Sequence, residues 1–176
     1  MKPPPFEYFA PRSKDEALSL LAEHEEAKVL AGGQSLVPLL ALRLARPSAL
    51  IDLGTVPGLE YIRRNDGHVA IGAMTRERVA ERSDVVASDV PLLADALPLV
   101  GHVAIRNRGT VGGSAAHADP SAEIPAVALA LDAEFVAASA GSERTIPAAE
   151  FFQGFFTTSL EPEEVLTEIR FPVAGP

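Results

Sequence analysis

Two glycine-rich segments hold the residues of this chain that are best suited to binding an anion. The first glycine segment, Val29-Leu30-Ala31-Gly32-Gly33-Gln34-Ser35-Leu36, runs from a short apolar strand into paired glycines and a predicted helix. The second glycine segment, Gly109-Thr110-Val111-Gly112-Gly113-Ser114, places another glycine pair among hydroxyl side chains. Amides at a helix start are unpaired and attract negative charge, and glycine lets a phosphate approach the backbone. Together the segments predict a cradle for a diphosphate-bearing cofactor.

Each glycine pair has a simpler interpretation when it is considered alone. Neither segment matches the dinucleotide fingerprint G-x-G-x-x-G or the phosphate loop that ends in Gly-Lys-Ser/Thr. A single Gly-Gly is more often a turn or a bulge than a ligand site. The prediction of a phosphate site therefore depends on the two segments acting jointly.

The residues after the second glycine segment allow several interpretations. Glu123 lies in the first turn of a predicted helix, where an acid stabilises the helix dipole or accepts hydrogen bonds from a ribose. His117 and Asp119 form an H-x-D pair, but three or four convergent metal ligands are not evident, so no metal site is predicted. The chain has no G-x-S-x-G elbow, which disfavours a hydrolase. The phenylalanines between Phe151 and Phe156 are suited to stacking on a ring, or more simply to a core or subunit contact.

Composition excludes several classes of partner. The net charge of −9 disfavours nucleic acid, whose phosphates require a basic surface. The chain has no cysteine, so it forms no disulfide and ligates no iron–sulfur cluster through thiolates. The sequence has no apolar run long enough for a signal peptide or a membrane span. We therefore expect a cytoplasmic protein without a membrane span.

The chain order predicts an α+β fold rather than a doubly wound sheet, because helices and strands do not alternate regularly. Ser13 and Glu16 form a capping box, Ser35 is predicted to cap a helix up to Leu44, and Thr75 is predicted to open another. A hairpin is predicted around Asp66-Gly67. Further helices are predicted over 92–100 and 122–131, and strands over 6–9, 29–31, 50–53, 134–137 and 165–171. A boundary near Pro57 gives two α+β lobes, residues 1–56 and 57–176, with a ligand in the cleft between them.

The two segments in this order resemble a known family. The pair AGGQSL and GTVGGSAAHADPSAEIPA is similar to the FAD-binding medium subunits of the xanthine dehydrogenase and aerobic carbon monoxide dehydrogenase family. The resemblance is supported by LIDLG, IGAMT, IRN and EIRFP and covers nearly the whole chain. It implies a two-lobed FAD-binding domain of the type shared with vanillyl-alcohol oxidase and a cell-wall-building reductase. Family members continue into a C-terminal domain, so this chain is expected to correspond to the FAD-binding domain without it.

The resemblance also implies roles for individual residues. The FAD diphosphate is expected between the first glycine segment and Thr110, Val111, Gly112, Gly113 and Ser114 of the second. Glu123 falls where the family often has an aspartate at the adenosine ribose. Leu166 falls near the flavin ring, and Val100 at a position that is often aromatic in xanthine dehydrogenases. No catalytic side chain and no metal ligand is predicted.

The function implied by the resemblance is electron transfer within a molybdenum hydroxylase. Electrons from a molybdenum-cofactor large subunit would pass through the clusters of an iron–sulfur small subunit to FAD on this chain, and then to an external acceptor. Two alternatives are a free-standing flavin oxidoreductase and a non-catalytic assembly module for partner subunits.

Overall fold

The computed structural model of the chain describes residues 1–175. Its first part forms a small parallel sheet in the order β1-β3-β2, flanked by two helices. The elements are β1 (Glu7–Phe9), α1 (Lys14–Glu23), β2 (Lys28–Leu30), α2 (Leu36–Ala41) and β3 (Ala49–Asp52). Because the strands are parallel, the first glycine segment and the residues after Asp52 leave the sheet at the same edge.

The second part forms a five-stranded antiparallel sheet in the order β4-β5-β10-β6-β7. A hairpin of β4 (Ile62–Asn65) and β5 (His68–Gly72) is followed by six short helices. These are α3 (Glu77–Glu81), α4 (Asp84–Asp89), α5 (Pro91–Ala96), α6 (Val103–Arg106), α7 (Val111–His117) and α8 (Glu123–Ala130). The remaining elements are β6 (Glu134–Ser139), β7 (Ser142–Pro147), α9 (Ala148–Phe151), β8 (Phe152–Gly154), β9 (Thr157–Thr158) and β10 (Val165–Pro172).

Local sequence explains several of these elements. The Ser13 hydroxyl accepts a hydrogen bond from the Glu16 amide at 3.1 Å, which confirms the predicted start of α1. The Glu16 carboxylate accepts from the amide of Arg12, one residue earlier than a capping box requires. The predicted hairpin is confirmed, with Asn65 opposite His68 and Gly67 at a φ of +80°.

Four predicted helix boundaries are wrong. Ser35 has helical dihedral angles and its exposed side chain caps no amide. The helix α2 stops at Ala41 because Arg43 adopts a left-handed φ of +59°. Thr75 does not open α3, since its hydroxyl is bonded to both the amide and the carbonyl of Tyr61. The predicted helix over 92–100 is a shorter α5 followed by a 3₁₀ turn at Leu97–Leu99.

The main core lies beneath the antiparallel sheet. Phe135 and Phe151 are fully buried and stacked with ring centroids 3.9 Å apart, and Phe152 packs edge-on against both. The interpretation of these phenylalanines as core residues therefore holds for Phe151 and Phe152. In contrast, Phe155 and Phe156 are exposed at the β8–β9 turn.

A second, smaller core joins the two sheets. Leu21 and Leu53 from the first part pack in one cluster with Ala138 and Val165 from the antiparallel sheet. The two sheets are drawn from opposite sides of Pro57 in the sequence. The division into lobes 1–56 and 57–176 stays a prediction. Among the described residues, no helix combines the length and the apolar character that crossing a membrane requires.

Candidate functional site

The two glycine segments lie against each other. A Cβ atom on Gly32 would be 2.7 Å from the Cα of Gly109 and closer still to the carbonyl oxygen of Arg108. A Cβ on Gly113 would be 3.3 Å from the Cβ of Ala31. The structure therefore brings together the two segments that the sequence separates by more than 70 residues.

The first glycine segment presents unpaired amides. In residues 1–175, no protein acceptor bonds the amides of Gly32, Gly33, Gln34 or Ser35. Gly33 has a left-handed φ of +73°, which turns the chain from β2 into α2. The Gln34 side chain donates to the carbonyl of Gly32 at 3.1 Å and braces this turn. Consecutive unpaired amides in such a turn attract anions.

The amides of the second glycine segment are already used within the protein. The Val111 amide donates to the Thr75 carbonyl and the Gly112 amide to the Ala73 carbonyl, both at 3.0 Å. The Gly113 amide donates to the Thr110 hydroxyl, again at 3.0 Å. The expectation of free amides at this helix start is therefore wrong, because the loop between β5 and α3 and the Thr110 cap satisfy them.

The glycines of the second segment are required by packing against the protein. A Cβ on Gly112 would lie 2.6 Å from the Cα of Ala73, and a Cβ on Gly113 would lie 2.5 Å from the Thr110 hydroxyl. A substitution at Gly112 would thus disturb the buried contact with Ala73 whether or not a phosphate is nearby. The second segment acts as a backbone support for the first.

A cavity of about 420 Å³ opens beside the first glycine segment. Five predicted site residues line it, namely Leu30, Ala31, Gly32, Gly33 and Gln34. Residues that the sequence analysis missed complete its wall: Val37, Pro38, Asp52, Gly54, Arg76 and Arg108. Of the other predicted residues, Val29, Ser35, Leu36, Val100, Thr110, Val111, Gly112, Gly113, Ser114, Glu123 and Leu166 do not line this cavity.

Two arginines give the cavity its positive charge. Arg76 precedes α3 and Arg108 precedes the second glycine segment, and the Arg76 guanidinium donates to the backbone carbonyl of Arg108. This bond ties the two cationic residues to one wall. Their only sequence signal was their place next to recognised motifs, IGAMT for Arg76 and IRN for Arg108.

Asp52 is the acidic residue in the cavity wall, and its carboxylate is engaged on both oxygens. Oδ1 accepts from the Gly54 amide at 2.8 Å and Oδ2 accepts from the Tyr8 hydroxyl at 2.5 Å. The hydrogen bond to Asp52 raises the pKa of the Tyr8 hydroxyl. Charge on Asp52 is therefore partly compensated within the wall.

A buried carboxyl lies behind the second glycine segment. Glu77 is only 4% exposed, and its Oε2 has no hydrogen-bond partner among the described residues. Burial raises the pKa of Glu77 to about 7, with a further increase from the charge of Glu123 and an opposing effect from Arg106. Nothing in the sequence pattern distinguishes this glutamate from the neighbouring Glu81.

Arg106 organises the turn that leads to the second glycine segment. Its buried guanidinium donates to Glu81 Oε2 and to the Val100 carbonyl, both at 2.9 Å. Hydrogen bonds from Arg106 and Arg78 hold the pKa of Glu81 below its usual range. The IRN motif thus contains a buried structural arginine beside the exposed Arg108.

The other predicted residues occupy varied environments. Glu123 begins α8 and is half-buried. Val100 and Leu166 are 8% and 5% exposed and belong to the main core. Asp119 accepts two hydrogen bonds from Ser121, which lower its pKa, and His117 packs against the ring of Phe156. Among residues 1–175, no three His, Asp or Glu side chains cluster as a metal site would require.

A larger cavity of about 680 Å³ has no residue of either glycine segment in its lining. It is lined by Glu60, Tyr61, Ile62, Thr75, Arg78, Val79, Arg82 and Ser83, none of which was a predicted site residue. Volume alone therefore does not mark the site that the glycine segments form.

A small parallel sheet places the first glycine segment at a cavity lined by Arg76 and Arg108, an arrangement suited to a phosphorylated cofactor. Residues 4–174 match the family described as the FAD binding domain in molybdopterin dehydrogenase, and the chain belongs to this family. The predicted family, the α+β fold and FAD as the cofactor are thereby confirmed. The roles of individual residues stay predictions.

Similar proteins agree with this assignment. The chain is 48% identical over 173 residues to the 6-hydroxypseudooxynicotine dehydrogenase complex subunit alpha of Paenarthrobacter nicotinovorans, covering 98% of the chain and 58% of that subunit. It is 46% identical to the carbon monoxide dehydrogenase medium chain of Hydrogenophaga pseudoflava, covering 98% and 60%. A solved structure of that dehydrogenase superposes with a TM-score of 0.96, covering 99% of this chain and 61% of the other. The chain thus spans about three fifths of the relatives that it matches.

The fold extends to a more distant enzyme. UDP-N-acetylenolpyruvylglucosamine reductase from Thermus caldophilus superposes with a TM-score of 0.60 at 17% identity, covering 97% of this chain and 56% of that one. At this level of identity the likeness shows that the two proteins share a fold.

Proposed function

We propose that this chain holds the diphosphate of FAD at the first glycine segment and is the flavin-bearing electron-transfer module of a molybdenum hydroxylase. The observation that carries the proposal is the cavity lined by Gly32, Gly33 and Gln34, whose amides are unpaired, and by two arginines. Such a site suits a dianionic diphosphate, since backbone donors and guanidinium groups both bind phosphate oxygens.

Different residues of this site have different proposed roles in binding FAD. The positive φ of Gly33 directs the turn, Gln34 braces it, and Arg76 and Arg108 supply positive charge. The second glycine segment supports the first through the Gly32–Gly109 contact. In this proposal Thr110, Val111, Gly112, Gly113 and Ser114 help bind the diphosphate mainly by fixing that support.

The remaining predicted contacts concern the two ends of FAD. Glu123 is proposed to accept hydrogen bonds from the adenosine ribose, because it lies half-buried at the start of α8. Val100 and Leu166 are proposed to pack near the flavin ring, since both are buried apolar residues of the main core. FAD, when bound, supplies the redox chemistry, so this chain's residues need only bind and orient it.

The proposed partners are an iron–sulfur small subunit and a molybdenum-cofactor large subunit, with an external electron acceptor. Support comes from the family and from the relatives named above, which are described as a subunit of a dehydrogenase complex and as a medium chain. Co-expression with the chains encoded by neighbouring genes should yield a ternary complex. A single chain that reduces an acceptor with its own organic substrate would instead indicate a free-standing oxidoreductase.

Flavin binding is the direct test of the proposed function. Purified chain that is incubated with FAD and then gel-filtered should carry flavin absorbance with the protein peak. A colourless protein at every FAD concentration would overturn the proposal. A complex that assembles without flavin would support a non-catalytic assembly module.

A cytoplasmic location belongs to the same proposal. It is supported by the lack of cysteine in this sequence, which fits a reducing compartment where disulfides are not used. Cell fractionation with the full gene product tests it, and recovery in the periplasm or the membrane fraction would contradict it.

A further inference from the structure

Glu77 lies directly behind the second glycine segment. Its amide donates to the Gly109 carbonyl at 3.0 Å. Its side chain returns to the same residue, because a Cβ on Gly109 would lie 2.5 Å from Glu77 Oε2 and 2.9 Å from Oε1. The carboxyl therefore packs against the Cα of Gly109, and glycine is needed there to admit it.

The surroundings of this carboxyl are poorly suited to a negative charge. Oε2 is buried and has no donor among the described residues. Of the charged groups that face it, Arg106 on α6 is already bonded to Glu81, and Glu123 on α8 is acidic. These surroundings keep the pKa of Glu77 near 7, so the carboxyl still binds a proton near neutral pH.

Gly109 connects this carboxyl to the proposed FAD site. One side of its backbone touches Glu77, and another touches Gly32 of the first glycine segment. Arg108, the preceding residue, lines the cavity, and its backbone carbonyl accepts the hydrogen bond from the Arg76 guanidinium. A change at Glu77 is thus transmitted to the cavity wall through one residue.

We propose that Glu77 is a positioning residue for FAD, whose buried carboxyl supports the second glycine segment in its protonated form, so that FAD binding is linked to one proton on this side chain. The inference rests on the proposed function, because it requires FAD at the first glycine segment. The inference adds Glu77, which lies outside both glycine segments, and a pH dependence of FAD binding.

The direction of the linkage follows from charge and solvation. An ionised Glu77 would require water or a donor at Oε2, and admitting either would displace Gly109 from the carboxyl and from Gly32. The ionised form would also place a second negative charge near Glu123. FAD therefore binds the protonated form more tightly, and binding above neutral pH draws a proton from solvent.

The test compares the FAD dissociation constants of the wild type and Glu77→Gln at pH 6 and pH 8. In the wild type, the protonated fraction falls to about one tenth at pH 8, so the dissociation constant should rise about tenfold. Glu77→Gln keeps the size of the side chain but cannot ionise, and its dissociation constant should change less than about twofold. The control is Glu163→Gln, which removes the same charge from an exposed position before β10 and should follow the wild-type profile.

Calorimetry in two buffers of different ionisation enthalpy gives a second measurement, which does not depend on the folding of a variant. The wild type should take up about one proton per FAD bound at pH 8 and much less at pH 6. No uptake at pH 8, or a Glu77→Gln variant with the wild-type pH dependence, overturns the inference and leaves the FAD site intact. Absence of FAD binding at both pH values removes the proposed function and this inference with it.

Discussion

Gly32 and Gly109 meet backbone to backbone: a Cβ on Gly32 would lie 2.7 Å from the Cα of Gly109. This contact closes the first glycine segment onto the turn that follows α6. It explains why residue 32 is glycine without reference to any phosphate. It also fixes the wall that carries Arg108 next to the unpaired amides of the first segment.

Gly32→Ala should therefore destabilise the protein as well as weaken FAD binding. The new methyl group would meet backbone atoms that cannot rotate away, and such overpacking costs about 1–3 kcal/mol. Urea unfolding measures the free energy of unfolding, and flavin fluorescence measures the FAD dissociation constant. Gly154→Ala is the matched control, because an added Cβ there meets nothing within 4 Å and Gly154 has no positive φ. Equal stability of the two variants would contradict the contact.

The glycine pairs were visible in the sequence, but the cause of each glycine was not. The residues that approach Gly32 and Gly112 are Gly109 and Ala73, which are distant in the chain. A glycine pair in the sequence indicates positions where a Cβ atom is not tolerated. Only the fold shows whether protein atoms or a ligand approach the backbone there. Sequence reasoning therefore found two segments that meet in the fold, but it did not show that the amides of Val111, Gly112 and Gly113 are bonded within the protein.

Arg108→Gln should weaken FAD binding with little effect on folding. Arg108 is exposed and lines the cavity, so the substitution removes a charge from the phosphate site without opening the core. Loss of one charged hydrogen bond is worth about 1.5–3 kcal/mol, so we expect a dissociation constant at least about tenfold higher. The wild-type affinity should fall with added salt, and the variant's affinity should fall less steeply.

Arg46→Gln is the control for this charge change. Arg46 is exposed and precedes β3, whereas the cavity lies at the other end of that strand beside Asp52. It should bind FAD like the wild type. If both variants lose affinity equally, general electrostatic attraction accounts for the effect and Arg108 is not a phosphate ligand.

The two arginines of the cavity could not be predicted from sequence. Arg76 follows β5 and Arg108 follows α6, and only tertiary packing brings both to the first glycine segment. The same limit applies to the prediction that Ser35 caps a helix. Thr110 is extended and caps α7, whereas Ser35 is helical and caps nothing, although both stand next to a helix start. A side-chain cap depends on that backbone angle, which residue type does not specify.

Thr110→Val should loosen the start of α7. The substitution keeps the shape of the side chain but removes the hydroxyl that accepts from the Gly113 amide at 3.0 Å. Loss of an N-cap costs about 0.5–2 kcal/mol of stability. Thr110→Ser retains the acceptor and should stay near the wild type in urea unfolding. Equal destabilisation by both variants would show that the methyl group, rather than the cap, matters at this position.

Arg106→Ala should be the most destabilising of these substitutions. It removes the guanidinium that bonds the buried side of Glu81 and the Val100 carbonyl, and so leaves Glu81 without that partner. Glu81 keeps its bond to Arg78, so the cost is that of the lost hydrogen bonds to charged groups, about 1.5–3 kcal/mol each. Arg106→Lys keeps the charge but lacks the forked donor geometry, so it should recover only part of the loss. Full recovery by lysine would mean that charge alone suffices.

The stability difference between Glu77→Gln and the wild type should depend on pH. The pKa of Glu77 is raised from 4.5 to about 7 in the folded state, so the folded protein binds this proton more tightly than the unfolded chain. The stabilisation that results from this raised pKa is fully present below pH 4.5. It decreases as the pH rises from 4.5 to about 7, and the free energy of unfolding loses nothing more through Glu77 above that pH. The full decrease corresponds to about 3 kcal/mol. Relative to the wild type, Glu77→Gln should therefore gain stability as pH rises from 5 to 8.

Urea unfolding at several pH values measures this gain, and Glu163→Gln should show none. A constant difference between Glu77→Gln and the wild type would mean that Glu77 is already ionised in the folded protein. The unpartnered Oε2 would then have to be solvated through movement of Gly109.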